Sequence, residues 1–360
     1  MSIKFTKILF SLFLFGLLGF ILQFEAVNAE PYLAMRTGYK CSQCHNNQSG
    51  GGKRTGFGVI YAQTRLYMRR LGTEGKPVFF SGRMDRFISV GANVRFENVS
   101  LFKYENILTE ENSASNNNRI PEANLYFLFE LVPDALSIYA DQTLAPGNAN
   151  RELFGLLQNL PLNSYFKVGR MLLPYGLRLR DDEAFIRNET GYTYNKHDTG
   201  AEIGLEPGPF SLIANVTQNQ FSVVGSTVFR RFRIGGSYAR NTTIGNDYVF
   251  GAFAGANFGR FTLLGEGDLI TRGGVDRFAG LAEINLLLSR GLNLKTTYEF
   301  FDRNRDIPNA RDGQERFTLG VEPFLTQFMQ LGIFYRFNRF IPQNAQLNRD
   351  QLFVQFHFFF

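Results

Sequence analysis

The sequence feature that most constrains the fold is an alternation of apolar and polar residues that recurs from about residue 86 to the C-terminus. Between Leu292 and Phe300, leucine or aromatic side chains fill every second position except 296, a threonine, while Asn293, Lys295 and Glu299 lie between them. Successive side chains of a β-strand point to opposite faces. The pattern therefore predicts strands with one apolar and one polar face, as found both in soluble β-sandwiches and in outer-membrane barrels.

The spacing of the connections distinguishes these two architectures. The pattern predicts sixteen strands, near 86–98, 120–132, 135–144, 151–159, 164–171, 199–206, 209–218, 220–230, 232–240, 246–257, 260–270, 276–288, 291–301, 314–324, 328–338 and 350–360. Several connections after even-numbered strands are very short, whereas 99–119, 172–198, 302–313 and 339–349, after odd-numbered strands, are long. Bacterial outer-membrane barrels have short periplasmic turns and longer extracellular loops. We therefore predict an all-β fold, an antiparallel outer-membrane β-barrel of about 16 strands.

Both ends of the chain agree with export to the outer membrane. Lys4 and Lys7 precede an apolar run from Ile8 to Leu22, and Val27 and Ala29 match a small-residue cleavage site. This pattern is typical of a secretory signal peptide, here residues 1–29. The chain ends on Phe360 after alternating hydrophobic residues, and outer-membrane proteins are similar in ending on an aromatic residue.

Composition excludes two other classes of protein. Beyond the signal peptide, no apolar run approaches the ~18 residues of a membrane-spanning helix. The formal charge of +6 comes without a compact basic run, so nucleic acid is not an expected partner. Aromatic residues make up 15% of the chain, with 39 Phe, 15 Tyr and no Trp. Phe and Tyr can populate the interfacial girdles of a barrel, and we expect outer-membrane lipid as a partner.

Cys41 and Cys44, the two cysteines of the chain, form a Cys-x-x-Cys-His motif with His45. This spacing is typical of c-type haem attachment, in which two thiols bind the haem covalently and the histidine is an axial ligand of the iron. A zinc site needs four ligands, and the sequence has no second such pair. A thioredoxin-like pair requires a βαβ context, and a structural disulfide gives His45 no role. We therefore predict one covalent haem c held by Cys41, Cys44 and His45.

The segment between the signal peptide and the barrel, residues 30–78, carries this motif. It contains a glycine-rich stretch from Ser49 to Gly52 and a predicted helix from Phe57 to Arg70. A domain of about 50 residues is marginally stable without help. Larger barrels are commonly plugged, so we expect this partly helical cytochrome segment to be a plug in the barrel of residues 79–360 or at its periplasmic mouth.

The sixth ligand of the haem iron stays open in the sequence. The candidates are Met35, Met68, Met84, His197 and His357, and we expect His357 to face the lumen. Met68 is the first choice because its helix could fold back over the haem. A vacant sixth position is the alternative.

Charged residues predict a polar lumen. The connection 172–198 is expected to fold inward and narrow the pore, and its Asp181, Asp182 and Glu183 are a candidate Fe²⁺ site because hard cations prefer carboxylates. A mixed-charge lumen is predicted from Glu266, Asp268, Glu283, Glu299, Glu322, Arg233, Arg277, Lys295 and Arg336.

The layout resembles the fused monohaem cytochrome c–porin family of outer-membrane electron-transfer proteins. The resemblance rests on the signal peptide, the stretch from Tyr32 through the haem motif to Tyr61, and the barrel that ends at Phe360. The stretch from Val168 to Gly176 is also similar to one found in anion-selective porins. The family includes ferrous-iron oxidases, and the resemblance carries the haem role to Cys41, Cys44 and His45 alone.

The resemblance implies electron transfer across or into the outer membrane. The expected partners are a small reduced donor such as Fe²⁺ and a periplasmic electron carrier such as a soluble cytochrome. Two alternatives remain: a solute porin with a structural or regulatory haem plug, and a soluble periplasmic cytochrome.

Overall fold

The structure, a computed structural model, describes residues 30–73, 76–102, 114–145, 150–241, 247–307, 312–340 and 350–360. The predicted signal peptide, residues 1–29, lies outside the described residues, as do parts of the predicted long loops. Within the described ranges, no helix has the length and apolar character needed to cross a membrane.

Sixteen antiparallel strands form a closed barrel, as predicted. Each strand pairs with the next, and β16 closes the barrel by pairing with β1. The strands are β1 Ile88–Leu101, β2 Ser115–Val132, β3 Leu136–Thr143, β4 Glu152–Leu160, β5 Ser164–Leu172, β6 His197–Leu205, β7 Phe210–Thr217, β8 Gln220–Phe229, β9 Phe232–Asn241, β10 Asp247–Phe258, β11 Phe261–Arg272, β12 Val275–Ser289, β13 Leu292–Asp302, β14 Gln314–Pro323, β15 Met329–Phe340 and β16 Gln351–Phe359.

The alternation of side chains separates a lipid face from a lumen face. On β13, Tyr298 is exposed on the outside and Glu299 is buried in the lumen. On β16, Phe356 and Phe358 point outward while His357 is buried, as predicted. Closure leaves no unpaired sheet edge, which a strand-based structure in a bilayer requires.

The two ends of the barrel differ in their connections. All connections after even-numbered strands are short, such as Arg230–Arg231 between β8 and β9. Long connections follow several odd-numbered strands, as predicted, and two other connections at this end are tight, 218–219 and Gly273–Gly274. Both glycines of the second turn have positive φ angles, 60° and 77°, which suit a two-residue hairpin. In outer-membrane barrels the short-turn end faces the periplasm.

The N-terminal segment, residues 30–71, lies inside the barrel at the short-turn end. Its helices are α1 Pro31–Thr37, α2 Cys41–Cys44 and α3 Gly56–Arg65. The tyrosine hydroxyl of Tyr32 donates to Glu322 on β14 at 3.0 Å. Backbone bonds then tie the segment to the β14–β15 turn. We call residues 30–71 the plug.

The prediction that the third helix continues to Arg70 is wrong. The helix ends at Arg65 because the following amides find partners on the barrel instead of within the helix. The Met68 N–H donates to the Phe324 carbonyl at 2.7 Å, and the Arg69 N–H donates to Leu325 at 3.2 Å. A small hairpin of Gly72–Thr73 and Lys76–Pro77 follows. The predicted boundary between residues 78 and 79 falls between this hairpin and β1.

The β5–β6 loop, residues 173–196, folds into the lumen, as predicted for the connection 172–198. It contains the short helix α4 Phe185–Asn188. The Leu177 N–H donates to Glu266 on β11 at 2.6 Å, and the Phe185 N–H donates to Glu299 on β13 at 2.8 Å. Apolar residues of the loop, including Tyr175, pack against the inner wall. The loop divides the lumen into a lower and an upper space.

Candidate functional site

The Cys-x-x-Cys-His motif forms one helical turn followed by a tight return of the chain. The His45 N–H donates to the Cys41 carbonyl at 2.9 Å and ends α2. His45 and Arg54 form an isolated antiparallel bridge, and the Asn46 N–H donates to Lys53 at 3.0 Å. The two cysteines are not joined by a disulfide bond. We call residues 46–53 the glycine-rich return.

Two glycines let the motif lie close to its neighbours. Gly51 has φ of 82°, and a Cβ there would lie 2.8 Å from the hydroxyl of Tyr194 and 3.3 Å from Nε of Arg178. At Gly58 on α3, a Cβ would collide with the carbonyl oxygen of Cys44. Any larger side chain at these positions would push the motif away from the loop or from α3.

A buried polar network fixes the glycine-rich return to the barrel wall. Asn47 is fully buried; its amide donates to Glu152 on β4 at 2.5 Å, and its oxygen accepts from Lys167 on β5 at 3.2 Å. Lys167 also pairs with Glu202 on β6 at 2.6 Å, and neither side chain is exposed. The Lys53 N–H donates to the hydroxyl of Tyr139 at 3.0 Å. The return is therefore held by direct hydrogen bonds to three strands, β3, β4 and β5, and Lys167 connects it to β6.

Cys41, Cys44 and His45 face a large cavity between the plug and the β5–β6 loop. The space not filled by protein atoms is about 1760 Å³, including the part that is continuous with solvent. The far wall includes His357 and Phe359 from β16, and the roof includes Leu177 and Arg178 from the loop. We call this space the lower cavity.

The lower cavity has an excess of positive charge. Its lining contains two acidic side chains, Glu30 and Glu206, and six basic ones: Lys40, Arg54, Arg95, Arg178, Arg187 and Arg233. Arg95 pairs with Glu122 and Arg187 with Glu266. Within the described part of the chain, Arg54, Arg178 and Arg233 have no carboxylate within ion-pair distance. A buried guanidinium without a carboxylate favours an anionic ligand.

The local environment keeps the motif side chains uncharged. Burial, with the nearby cations Arg54 and Arg178, lowers the pKa of His45 to about 3. The imidazole is therefore neutral at physiological pH, which is the form that binds a metal. Burial, with Cys41 alongside, raises the pKa of the Cys44 thiol to about 11.

A second space, the upper cavity, extends beside the β5–β6 loop from Glu97 and Arg119, toward the long-loop end, to Glu322 and Gln330 near the short-turn end. It has about 1550 Å³ of empty space, again including its open part. Eight acidic side chains line it, against five basic ones: Glu30, Glu97, Asp181, Asp182, Glu183, Glu283, Glu299 and Glu322 against Arg95, Arg119, Arg180, Lys295 and Arg336. Both cavities are lined by Arg95, Gln330 and His357. These three residues therefore lie where the two spaces meet.

The structure does not place Met68, the first candidate for the sixth ligand, beside the haem motif. Met68 is 46% exposed at the short-turn mouth and does not line the lower cavity. Its backbone bond to Phe324 holds it outside, because the chain leaves the helix before reaching it. Met35 and Met84 also lie outside that lining, as does His197, which contacts Arg170.

The proposed Fe²⁺ site at Asp181, Asp182 and Glu183 is also wrong. Arg336 on β15 binds both Asp181 and Glu183, and the backbone N–H of Tyr194 donates to Asp182. The three carboxylates are therefore already engaged in contacts within the protein. In the described ranges, no group of three or more acidic, histidine or cysteine side chains is arranged to hold a metal ion.

The predicted mixed-charge lumen is confirmed. Glu283 pairs with Lys295 at 3.3 Å, and Glu299 lies 3.7 Å from Arg316. Sequence reasoning missed Asn47, Arg54 and Arg178 as site residues. The sequence signal that could have identified Asn47 and Arg54 is that both lie within ten residues of His45.

The barrel is similar in fold to solved outer-membrane porins. The anion-selective porin from Comamonas acidovorans matches with a TM-score of 0.58 and 11% identity, over 76% of this chain and 99% of that one. A loop-deletion mutant of OmpT from Vibrio cholerae matches at 0.58 and 13% identity, over 77% and 100%. OmpF of Salmonella typhi, in complex with daunomycin, matches at 0.57 and 13% identity, over 76% and 97%.

These identities establish the fold alone. No protein-family model and no curated protein matches the sequence. The chain is a porin-like β-barrel of the kind found in the outer membrane of Gram-negative bacteria, and its outer surface faces lipid.

Proposed function

We propose that this porin-like barrel carries one covalent c-type haem in the lower cavity and transfers electrons at the outer membrane. The observation that carries the proposal is that Cys41, Cys44 and His45 all line one cavity. A haem attachment motif buried against the wall would have no room for its cofactor. Here the empty space begins at the motif.

The residues around the motif fit the cofactor. The two thiols would form thioethers with the haem vinyl groups, and the neutral imidazole of His45 would bind the iron. Haem also carries two propionates. Arg54 and Arg178 lie close enough to the motif to act on the charge of His45, and guanidinium–carboxylate pairs are strong.

The two cavities provide a path for redox partners. The acidic excess of the upper cavity attracts small cations, including a reduced donor such as Fe²⁺. One electron from the donor would reduce ferric haem, and one electron passed to a soluble periplasmic carrier would restore it. The hydrocarbon core is ~30 Å thick, which is too far for direct electron transfer from a donor outside the membrane to a haem in the lower cavity. The donor would therefore be a small species that diffuses into the barrel.

The proposal is tested by producing the protein together with a c-type maturation system. Denatured wild-type protein should retain haem peroxidase stain on a gel, and Cys41→Ala with Cys44→Ala should lose it. Purified wild-type protein should then be reduced by Fe²⁺ and reoxidised by a soluble cytochrome. Absence of stain from folded wild-type protein would overturn the haem, and stain without redox cycling would overturn electron transfer.

Solute passage, with the haem as a structural or regulatory plug, is the second candidate. It is favoured by the fold shared with the anion-selective porin and with OmpF. The plug contacts turns on several sides of the short-turn mouth; for example, Lys40 Nζ donates to Phe210 at 2.6 Å and Arg290 donates to Thr64 at 2.6 Å. Conductance in planar bilayers separates the candidates. A conductance like that of an unplugged porin, with a haem that does not cycle, would favour solute passage.

A further inference from the structure

We propose that His357, on the last barrel strand, is the second axial ligand of the haem iron. This inference rests on the proposed haem and adds the ligand that completes its coordination. The haem iron would then be bound by the plug on one side and by the barrel wall on the other.

The lining of the lower cavity leaves few alternatives. Strong nitrogen or sulfur ligands for haem iron are histidine, methionine and cysteine. Among the described residues of that lining, these types are represented by Cys41, Cys44, His45 and His357. The first three are committed to attachment and to the first axial position. His357 is the side chain of this class that remains.

The imidazole of His357 is oriented as a ligand. The residue is 6% exposed, and its Nε2 is buried without a hydrogen-bond partner. Its Nδ1 lies 3.0 Å from Oε1 of Gln330 on β15. A proton on Nδ1 donated to Gln330 leaves the lone pair of Nε2 free. Metal-bound histidines generally have their other ring nitrogen fixed by such a bond.

Several buried polar atoms of the described residues have no hydrogen-bond partner, and the histidine nitrogens among them are Nδ1 of His45 and Nε2 of His357. Two residues before His357 on the same strand face, Gln355 already accepts from Arg95 at 2.6 Å. An iron atom in the lower cavity would supply the missing partner of His357.

A short series of contacts connects the two histidines. His45 pairs through its backbone with Arg54. The Arg54 guanidinium carbon lies 4.5 Å from the ring centroid of Phe359, and that ring lies 4.9 Å from the ring of His357. The two imidazoles thus face the same cavity from the plug and from the wall.

The test uses the full-length haem-loaded protein and optical and electron paramagnetic resonance spectra. Wild-type protein should be six-coordinate and low-spin with two imidazole ligands. His357→Ala should lose the low-spin signal, bind carbon monoxide readily in the ferrous state, and recover the wild-type spectrum with added imidazole. His357→Met should remain six-coordinate, with an upward shift of the midpoint potential. His197→Ala and Met68→Leu are the matched controls and should retain the wild-type spectrum.

The outcomes separate this inference from the haem itself. Loss of covalent stain in wild-type protein would remove the proposed function. Retained stain with identical spectra in wild-type protein and His357→Ala would overturn the ligand assignment alone. Heat-modifiable gel migration reports whether each variant is folded. If His357→Ala does not fold, His357→Gln, which keeps a polar group on the strand, should give the same loss of low-spin signal; a wild-type spectrum there would refute the inference.

Discussion

Replacing Asn47 by leucine should release the glycine-rich return from the barrel wall. Leucine has a similar shape but cannot donate to Glu152 or accept from Lys167, which Asn47 does at 2.5 and 3.2 Å. Each wall residue keeps another partner: Lys167 keeps Glu202, and Glu152 keeps the Leu172 N–H at 3.1 Å. The free-energy cost of losing each bond is therefore at the lower end of the range for buried hydrogen bonds to charged groups, about 1–2 kcal/mol.

Loss of both bonds should destabilise the docked state of the glycine-rich return by about 2–4 kcal/mol. The fraction of molecules in which the return is detached from the wall should then rise by about 30- to 1,000-fold. Hydrogen exchange measured by mass spectrometry, on peptides covering residues 41–53 in detergent, reports this population directly. Peptides from β8 to β12 serve as the internal reference. Their exchange should not change, because the barrel ladder does not depend on Asn47.

Asn46→Leu is the matched control. Asn46 is its sequence neighbour, and its side-chain oxygen has no hydrogen-bond partner in the structure. This variant should exchange like wild-type protein. Unchanged exchange in Asn47→Leu, or an equal increase in both variants, would refute the claim that the buried network holds the return.

Three further predictions concern the loop, the topology and the plug. Arg336→Met should free the carboxylate of Asp181 and loosen the β5–β6 loop, so that single-channel conductance in planar bilayers rises; an unchanged conductance would show that the loop is held without this pair. A tag inserted at Gly273 should be accessible to antibody on intact cells, whereas a tag at Asp134 should not, and the reverse labelling would invert the barrel. Burial lowers the pKa of Lys53 from 10.5 to about 8. Between these two pH values Lys53 carries a proton in the unfolded chain but not in the folded protein. The free energy of unfolding should therefore rise from pH 8 to about pH 10. Thermal unfolding followed by circular dichroism checks this rise, and Lys53→Met should abolish it.

The barrel was predictable because its signal is local. A period of two fixes which side chains face the lumen, and turn residues mark where strands end. Sixteen strands and the inward face of His357 were therefore correct. The tight turn at Gly273–Gly274 lies in the short interval between two predicted strands, 260–270 and 276–288, so its position was predicted as well.

The errors all involve partners far apart in the sequence. Asp181 meets Arg336 across 155 positions, so the sequence presented it as a free carboxylate. The third helix stops early because Phe324, far along the chain, accepts the bond that the next turn would have used. Met68 then falls outside the cavity. How far along the lumen a residue lies depends on the closed barrel. The local alternation of residues does not predict it.

The plug lies against the pair of strands that closes the ring, and this sets the order of biogenesis. Arg54 packs on Phe359 of β16, and the backbone of Gly91 on β1 approaches Lys53 closely enough that a Cβ there would lie 3.6 Å from its stem. We expect the plug to be in place before the last strand joins the first, because its contacts reach both of the strands that close the ring. Residues 41–45 precede every strand in the sequence, so we expect any modification of their thiols while the chain is still open in the periplasm. Insertion into the membrane then encloses the plug inside the ring.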